Sequence, residues 1–234
     1  MNETTITNFV TPVMISLKIA VMATIVAFIF GGGLAWLLSR RNGFWANILE
    51  VLVSLPLVFP PTVVGFYLLT LFGRSGFLGG IIYHVFKANL IFTPAAAIIA
   101  AATAAMPFMF KTLKSFFECV DPDTIGAARL DGATEWILLR DIRLPLAAKG
   151  VLAGITLSFL RALGEFGATL MVAGNIPGKT QTLSVAIWGW VMSGEPAKAH
   201  MLALLLAAIS IIAVTGLRFI DKKLDGWDFQ TSLH

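Results

Sequence analysis

The side chains able to do chemistry are few among these 234 residues, and their spacing does not suit catalysis. His84, His200 and His234 are far apart in sequence and make no metal-ligand spacing. Neither a G-x-S-x-G elbow nor an HExxH pair occurs. The one cysteine, Cys119, allows no intrachain disulfide and no thiolate cluster, and reads as a small reduced side chain. Ala173 to Thr180, AGNIPGKT, comes close to a phosphate-binding loop, with Ala for the leading Gly. Such a loop needs a buried strand before it, a helix after it and an acidic partner for Mg²⁺. This stretch follows a long apolar run instead, and Pro177 removes an amide that would cradle phosphate, so it is not read as a nucleotide site. The pair of interest is Arg161 and Glu165, one helical turn apart inside an apolar run. Ionisable groups in such a place are costly, usually paired and by default functional. The competing reading is a plain intrahelical ion pair worth a few tenths of a kcal/mol. If functional, Arg161 would face an anion, and Gly164, Glu165 and Gly167 would form a hinge or gate.

The elements that must hold these residues follow from composition. Apolar residues of the set AVILMFWYC make up 57% and charged residues 13%, against roughly 45–50% and about 25% in soluble domains. So few charges could not cover a soluble surface. An ordinary soluble enzyme, a disordered chain and a nucleic-acid binder are excluded. The net charge of +4 and pI near 9.4 read as membrane-flanking charge. A bilayer core needs about 20 apolar residues per helix. Charge-poor runs predict five spans, at about 14–39, 51–73, 90–112, 148–174 and 199–220. The run 182–194 is too short to cross and reads as re-entrant or interfacial. Pro60-Pro61 sits within the second run, where two missing donors must kink or break a helix. It would either shape packing or line a pathway or gate. Gly31-Gly32-Gly33 allows close helix approach, and Gly150 and Gly154 form a weak dimer-type spacing. Tyr83, His84, Trp188 and Trp190 read as interface anchors.

With the N-terminus outside, the inner segments hold eleven basic residues, Arg40, Arg41, Lys111, Lys114, Arg129, Arg140, Arg143, Lys149, Arg218, Lys222 and Lys223. The outer segments hold four, Arg74, Lys87, Lys179 and Lys198. The positive-inside rule therefore predicts an external N-terminus and a cytoplasmic C-terminus. The start, MNETTITNFVTP, lacks the basic n-region of a signal peptide, so no cleavage is expected. The chain reads as one all-α polytopic membrane domain over 1–234, with a cytoplasmic loop at about 118–147. There Asp121-Pro122 starts a short helix and Gly132 ends it in a left-handed turn. Thr134 caps a second helix that Pro145 punctuates, giving a helix–turn–helix at the membrane face.

Positions 126–145 carry Ala127-Ala128, Gly132, Ile142 and Leu144-Pro145 at a spacing that resembles the EAA-x3-G-x9-I-x-LP loop of permease subunits in binding-protein-dependent ABC importers. Gly126 stands where that family most often has Glu. The stretches Leu55 to Gly65, Arg161 to Thr169 and Gly174 to Thr180 resemble the molybdate permeases of the family more than the sulfate permeases. The resemblance implies the type I ABC importer permease fold, with Gly126 to Pro145 as a coupling helix seated on a separate ATPase. It also implies a path or gate near Pro60, Pro61, Arg161, Gly164, Glu165 and Gly167. The chain would be a homodimer in the lipid of the cell inner membrane, served by an external substrate-binding protein. ATP and Mg²⁺ would sit on the ATPase, and this chain would carry no cofactor, metal site or enzyme activity. Molybdate, or tungstate, would be the cargo. The alternatives are a sulfate or other oxyanion permease of the same architecture, an ATP-independent channel and an intramembrane enzyme.

Overall fold

A computed structural model describes residues 3–41 and 43–231, and these form helices joined by short loops, with no strand among them. His234 lies outside the described residues. The first long helix runs as α1 (Glu3–Ala27), a π-helical turn (Phe28–Gly32) and α2 (Gly33–Leu38). α3 (Phe44–Val58) and α4 (Pro61–Phe72) are two arms of the second apolar run, bent by 117° at Pro60. α5 (Phe77–Phe86) is a short apolar helix, and α6 (Pro94–Glu118) is the central one. The loop segment contains α7 (Pro122–Leu130), α8 (Glu135–Ile137), a π-helical stretch (Leu138–Arg143) and α9 (Leu144–Leu146). α10 (Ala148–Leu163), α11 (Gly167–Ala173), α12 (Leu183–Met192) and α13 (Pro196–Thr231) complete the order.

Three helical stretches, Phe9–Leu38, Pro94–Glu118 and Pro196–Gly216, are long and apolar enough to cross a bilayer alone, and the count rises to five if each sharply bent pair is one span. The 36 residues of α13 include the positions of Arg218, Lys222 and Lys223.

The core forms where α6 meets α1, α2, α10 and α11. α6 suits that place because one face is nearly all alanine: Ala97, Ala100, Ala101 and Ala105 are fully buried. Small side chains let backbones approach, which matters in lipid, where apolar burial gives helices no drive to associate. The neighbours answer with glycine. A Cβ on Gly31 would lie 3.1 Å from the Met106 carbonyl oxygen, and one on Gly32 3.0 Å from Leu113. A Cβ on Gly150 would collide with the Phe116 ring, and one on Gly154 would lie 3.1 Å from Met109 Sδ. The Gly150/Gly154 spacing is therefore spent within the chain, on α6, and not on a second copy. Ser158 adds a buried hydrogen bond, its hydroxyl donating to the Ala105 carbonyl at 3.3 Å.

At Pro60-Pro61, where the sequence predicts a kink or a break, the helix breaks and the chain turns by 117°. Pro145 sits within the short α9, and the next long helix, α10, begins at Ala148 after a 77° bend at Ala147. The short helix α5 escaped the reading because the ten mostly apolar residues between Gly76 and Lys87 fall below the length of a span.

Gly150→Ala is expected to lower stability by about 1–3 kcal/mol, because the new methyl must displace Phe116. Gly33→Ala, with nothing within 4 Å of its Cβ, is expected to leave stability unchanged or raise it by up to about 1 kcal/mol through helix propensity. Thermal unfolding of the two purified variants against the parent checks both.

Candidate functional site

The chain breaks twice inside apolar sequence, and the two breaks meet. At the first, Pro60 caps α4 and Pro61 is its first helical residue. Neither has an N–H, so the break leaves fewer donors in need of partners than any other dipeptide would. The Pro60 carbonyl accepts from Val63 N–H at 2.9 Å and Val64 N–H at 3.2 Å. At the second, α10 ends at Leu163, Gly164 closes it, and α11 restarts at Gly167 after the irregular Phe166.

Glu165 holds that second break. It is 2% exposed, and its Oε1 accepts the Ala168 N–H at 2.9 Å, capping the free end of α11. Its Oε2 sits 2.6 Å from Arg161 Nη1, one turn back on α10, as an ion-pair contact outside hydrogen-bonding angles. One carboxylate thus bridges the last turn of α10 and the first of α11. The other end of α11 is also tied down. Phe92 N–H donates to the Val172 carbonyl at 2.9 Å, and the buried Thr180 hydroxyl donates to the Ala173 carbonyl at 2.9 Å. The stretch Ala173 to Thr180 is this C-terminal tie, not a phosphate cradle.

α11 lies along α4 with almost no space between. A Cβ on Gly65 would be 2.9 Å from Ala168 Cα, and one on Gly167 would be 3.0 Å from Pro61 Cβ. Pro60, Pro61, Gly164, Glu165 and Gly167, which the sequence offers as two separate candidates, therefore form one seam. Pro60, Pro61 and Gly164 are exposed on it, whereas Glu165 and Gly167 are buried. Arg161, with its side chain 27% exposed, is the seam's only described cation, and its charge is engaged by Glu165.

The second candidate region is the loop. Asp121 Oδ1 accepts the Asp123 N–H at 3.0 Å, and α7 ends in a left-handed Gly132 at φ 85°. The Thr134 hydroxyl caps α8 by accepting the Ile137 N–H at 3.4 Å. Ile125 packs inward, while Gly126 has nothing within 4 Å of a Cβ position, and Ala127 and Leu130 are open. Ala128, Ile142 and Leu144 are half-buried and Pro145 is exposed. Leu130, at 91% exposure, and Trp136, at 64%, leave this face apolar and uncovered.

A node of charge fastens the loop to the end of α2. Glu135 Oε1 lies 2.9 Å from both Arg40 and Arg129. Arg143, from the π-helical stretch, is buried and donates to the Ser39 hydroxyl at 3.3 Å. Burial first, and then the neighbouring Arg40 charge, push the Arg143 pKa down from the ordinary arginine value. Sequence reading named Arg40, Arg129 and Arg143 only as topology signals. The Arg143–Ser39 bond that brings them together spans 104 positions, which no local pattern reveals.

The profile of the family described as binding-protein-dependent transport system inner membrane component matches residues 27–226. The ModB molybdenum transport system permease protein of Escherichia coli (strain K12) is 37% identical over 92% of this chain and 95% of its own length. Bacillus subtilis (strain 168) YvgM is 45% identical over 92% of this chain and 94% of its own length. The CysT sulfate transport system permease protein of Salmonella typhimurium is 32% identical over 90% of this chain and 77% of its own length. Among solved structures, the inward-facing MetNI methionine ABC transporter aligns with TM-score 0.72 at 17% identity, over 95% of this chain and 99% of that one. A bacterial alginate ABC transporter aligns with TM-score 0.75 at 15% identity, over 93% and 79%. The chain belongs to the binding-protein-dependent transport system inner membrane component family, with the fold of ABC importer permeases. It is a multi-pass membrane component of a transport system, not an enzyme.

Removing the bridging carboxylate tests the seam. Glu165→Ala is expected to cost about 1–3 kcal/mol, since a buried N–H loses its acceptor. Adding Arg161→Ala to it is expected to cost less than the sum of the single changes, because the two groups are paired. Equilibrium unfolding of the four proteins in detergent checks the cycle.

Proposed function

We propose that this chain is the permease subunit of an ATP-driven importer of molybdate, and of tungstate as a close analogue. The cargo assignment rests on one observation, the near full-length similarity to a molybdenum transport permease. Two copies would surround a central path. The seam of α4 and α11, with Pro60, Pro61, Arg161, Gly164, Glu165 and Gly167, would form each copy's share of the path or its gate. Exposed Pro60, Pro61 and Gly164, and an α3 with no buried residue, leave surface for a second copy to cover. The face of Gly126, Ala127, Ala128 and Leu130, with Gly132, Ile142, Leu144 and Pro145 shaping the loop, would seat the ATPase. ATP and Mg²⁺ would reside on that partner. An external binding protein would deliver the anion to the opposite side, with the N-terminus outside and the C-terminus in the cytoplasm.

The movement follows from the contacts. A push on the loop reaches the first helix through Glu135, Arg40 and Arg143, and α10 directly through the bend at Ala147. Alternating access needs two packings that differ by only a few kcal/mol, and the break at Gly164 supplies a place for the backbone to bend.

Radiolabelled molybdate uptake into proteoliposomes containing the chain, its ATPase and binding protein is expected to require all three and ATP. Uptake by the chain alone would support a channel. Equal suppression of uptake by equimolar sulfate would move the assignment to the sulfate class.

A further inference from the structure

The seam offers an anion no free positive charge, since Arg161 is engaged by Glu165. One stands free in an open cavity of about 420 Å³ between α3 and α6. The α3 wall carries Asn47, Glu50, Val51, Ser54 and Val58 at helical spacing, so the cavity runs from the polar start of the helix to its last residue, beside the break at Pro60. α6 contributes Lys111. Lys111 is exposed and pairs with no carboxylate among the described residues, and the exposed Asn47 side chain makes no hydrogen bond among them. Glu50 is engaged: its Oε2 accepts from Lys114 Nζ at 2.7 Å, and Lys114 also lies 3.2 Å from Glu118. Ser54 lines the wall, but its hydroxyl oxygen is covered and takes no part. Polar and charged groups on membrane helices belong to a water-filled cavity and not to lipid, and they mark the paths of ions.

We infer that this cavity is a low-affinity subsite for a tetrahedral oxyanion leaving toward the cytoplasm, with Lys111 as its cation and the Asn47 amide as a hydrogen-bond donor. The direction of travel rests on the importer reading; the chemistry of the site does not. An ammonium is a compact charge with three rotatable donors, and it can follow an anion that moves. Glu50 sets the strength of binding. Although paired, its carboxylate opposes a dianion in the same cavity, and a conducting site must hold its ion weakly enough to release it. Val51 and Val58 supply no competing charge along the rest of the wall.

The full chain carrying Cys119→Ser and Val51→Cys, purified in a neutral detergent, reports occupancy through its rate of modification by N-ethylmaleimide. Position 51 lines the cavity and is exposed to the reagent. Millimolar tungstate is expected to slow the reaction by about threefold or more relative to chloride at equal ionic strength. Lys111→Gln is expected to abolish that protection and Lys111→Arg to keep it, while Arg140→Gln, outside the cavity, leaves it unchanged. Glu50→Gln is expected to lower the half-protecting tungstate concentration by about threefold or more, because an opposing charge is gone. Lys111 is exposed and unpaired among the described residues, so its variants are expected to fold, which gel filtration checks. Protection that is absent from the start, survives Lys111→Gln, or is lost equally with Arg140→Gln overturns the subsite. Uptake without protection would remove the subsite alone, whereas protection without uptake would count against the importer reading and leave the anion site standing.

Discussion

A helix interrupted within a bilayer frees backbone groups that have no water to turn to, each costing several kcal/mol if unmet. The Glu165 carboxylate meets that demand where α10 gives way to α11, capping Ala168 with one oxygen and facing Arg161 with the other. Phe92 and Thr180 meet it at the far end of α11. At the opposing break the solution is different: two prolines have no donors to lose. With both interruptions satisfied locally, glycines at 65 and 167 let α4 and α11 close on each other. The rest of the structure supports this seam, with the alanine face of α6 as the floor on which α1, α10 and α11 rest.

The loop is built to opposite requirements. Its outer face leaves Ala127, Leu130 and Trp136 uncovered, whereas its inner side is gripped by charge, with Glu135 between two arginines and Arg143 on Ser39. An apolar face open to a partner and a polar side fixed to the first helix make a lever. Gly126 stands free of neighbours, so a side chain there would meet nothing else described in this chain.

Much of this was legible in the sequence. Charge-free runs located the long helices, because lipid enforces length and composition. Asp121, Gly132 and Thr134 announced the turns and caps of the loop through local hydrogen bonding, which depends on neighbours in sequence. The two breaks were visible as Pro60-Pro61 and as Gly164 and Gly167. Their meeting was not, since it depends on how the chain folds back by 117° at Pro60. The charge node was hidden for the same reason, as were the true partners of Gly150 and Gly154. A GxxxG spacing says that something packs closely and not what, and here it is Phe116 and Met109 of the same chain.

The seam of α4 and α11 carries the mechanical claim: glycine contacts this close should move as one body while the path opens beside it. Spin labels at Thr62 on α4 and Leu170 on α11, in a chain with Cys119→Ser and diluted with unlabelled copies, report the spacing across the seam by dipolar EPR. In the assembled transporter the account predicts the same spacing with and without ATP bound. A spacing that changes with ATP would contradict it, placing the moving joint between the two helices themselves.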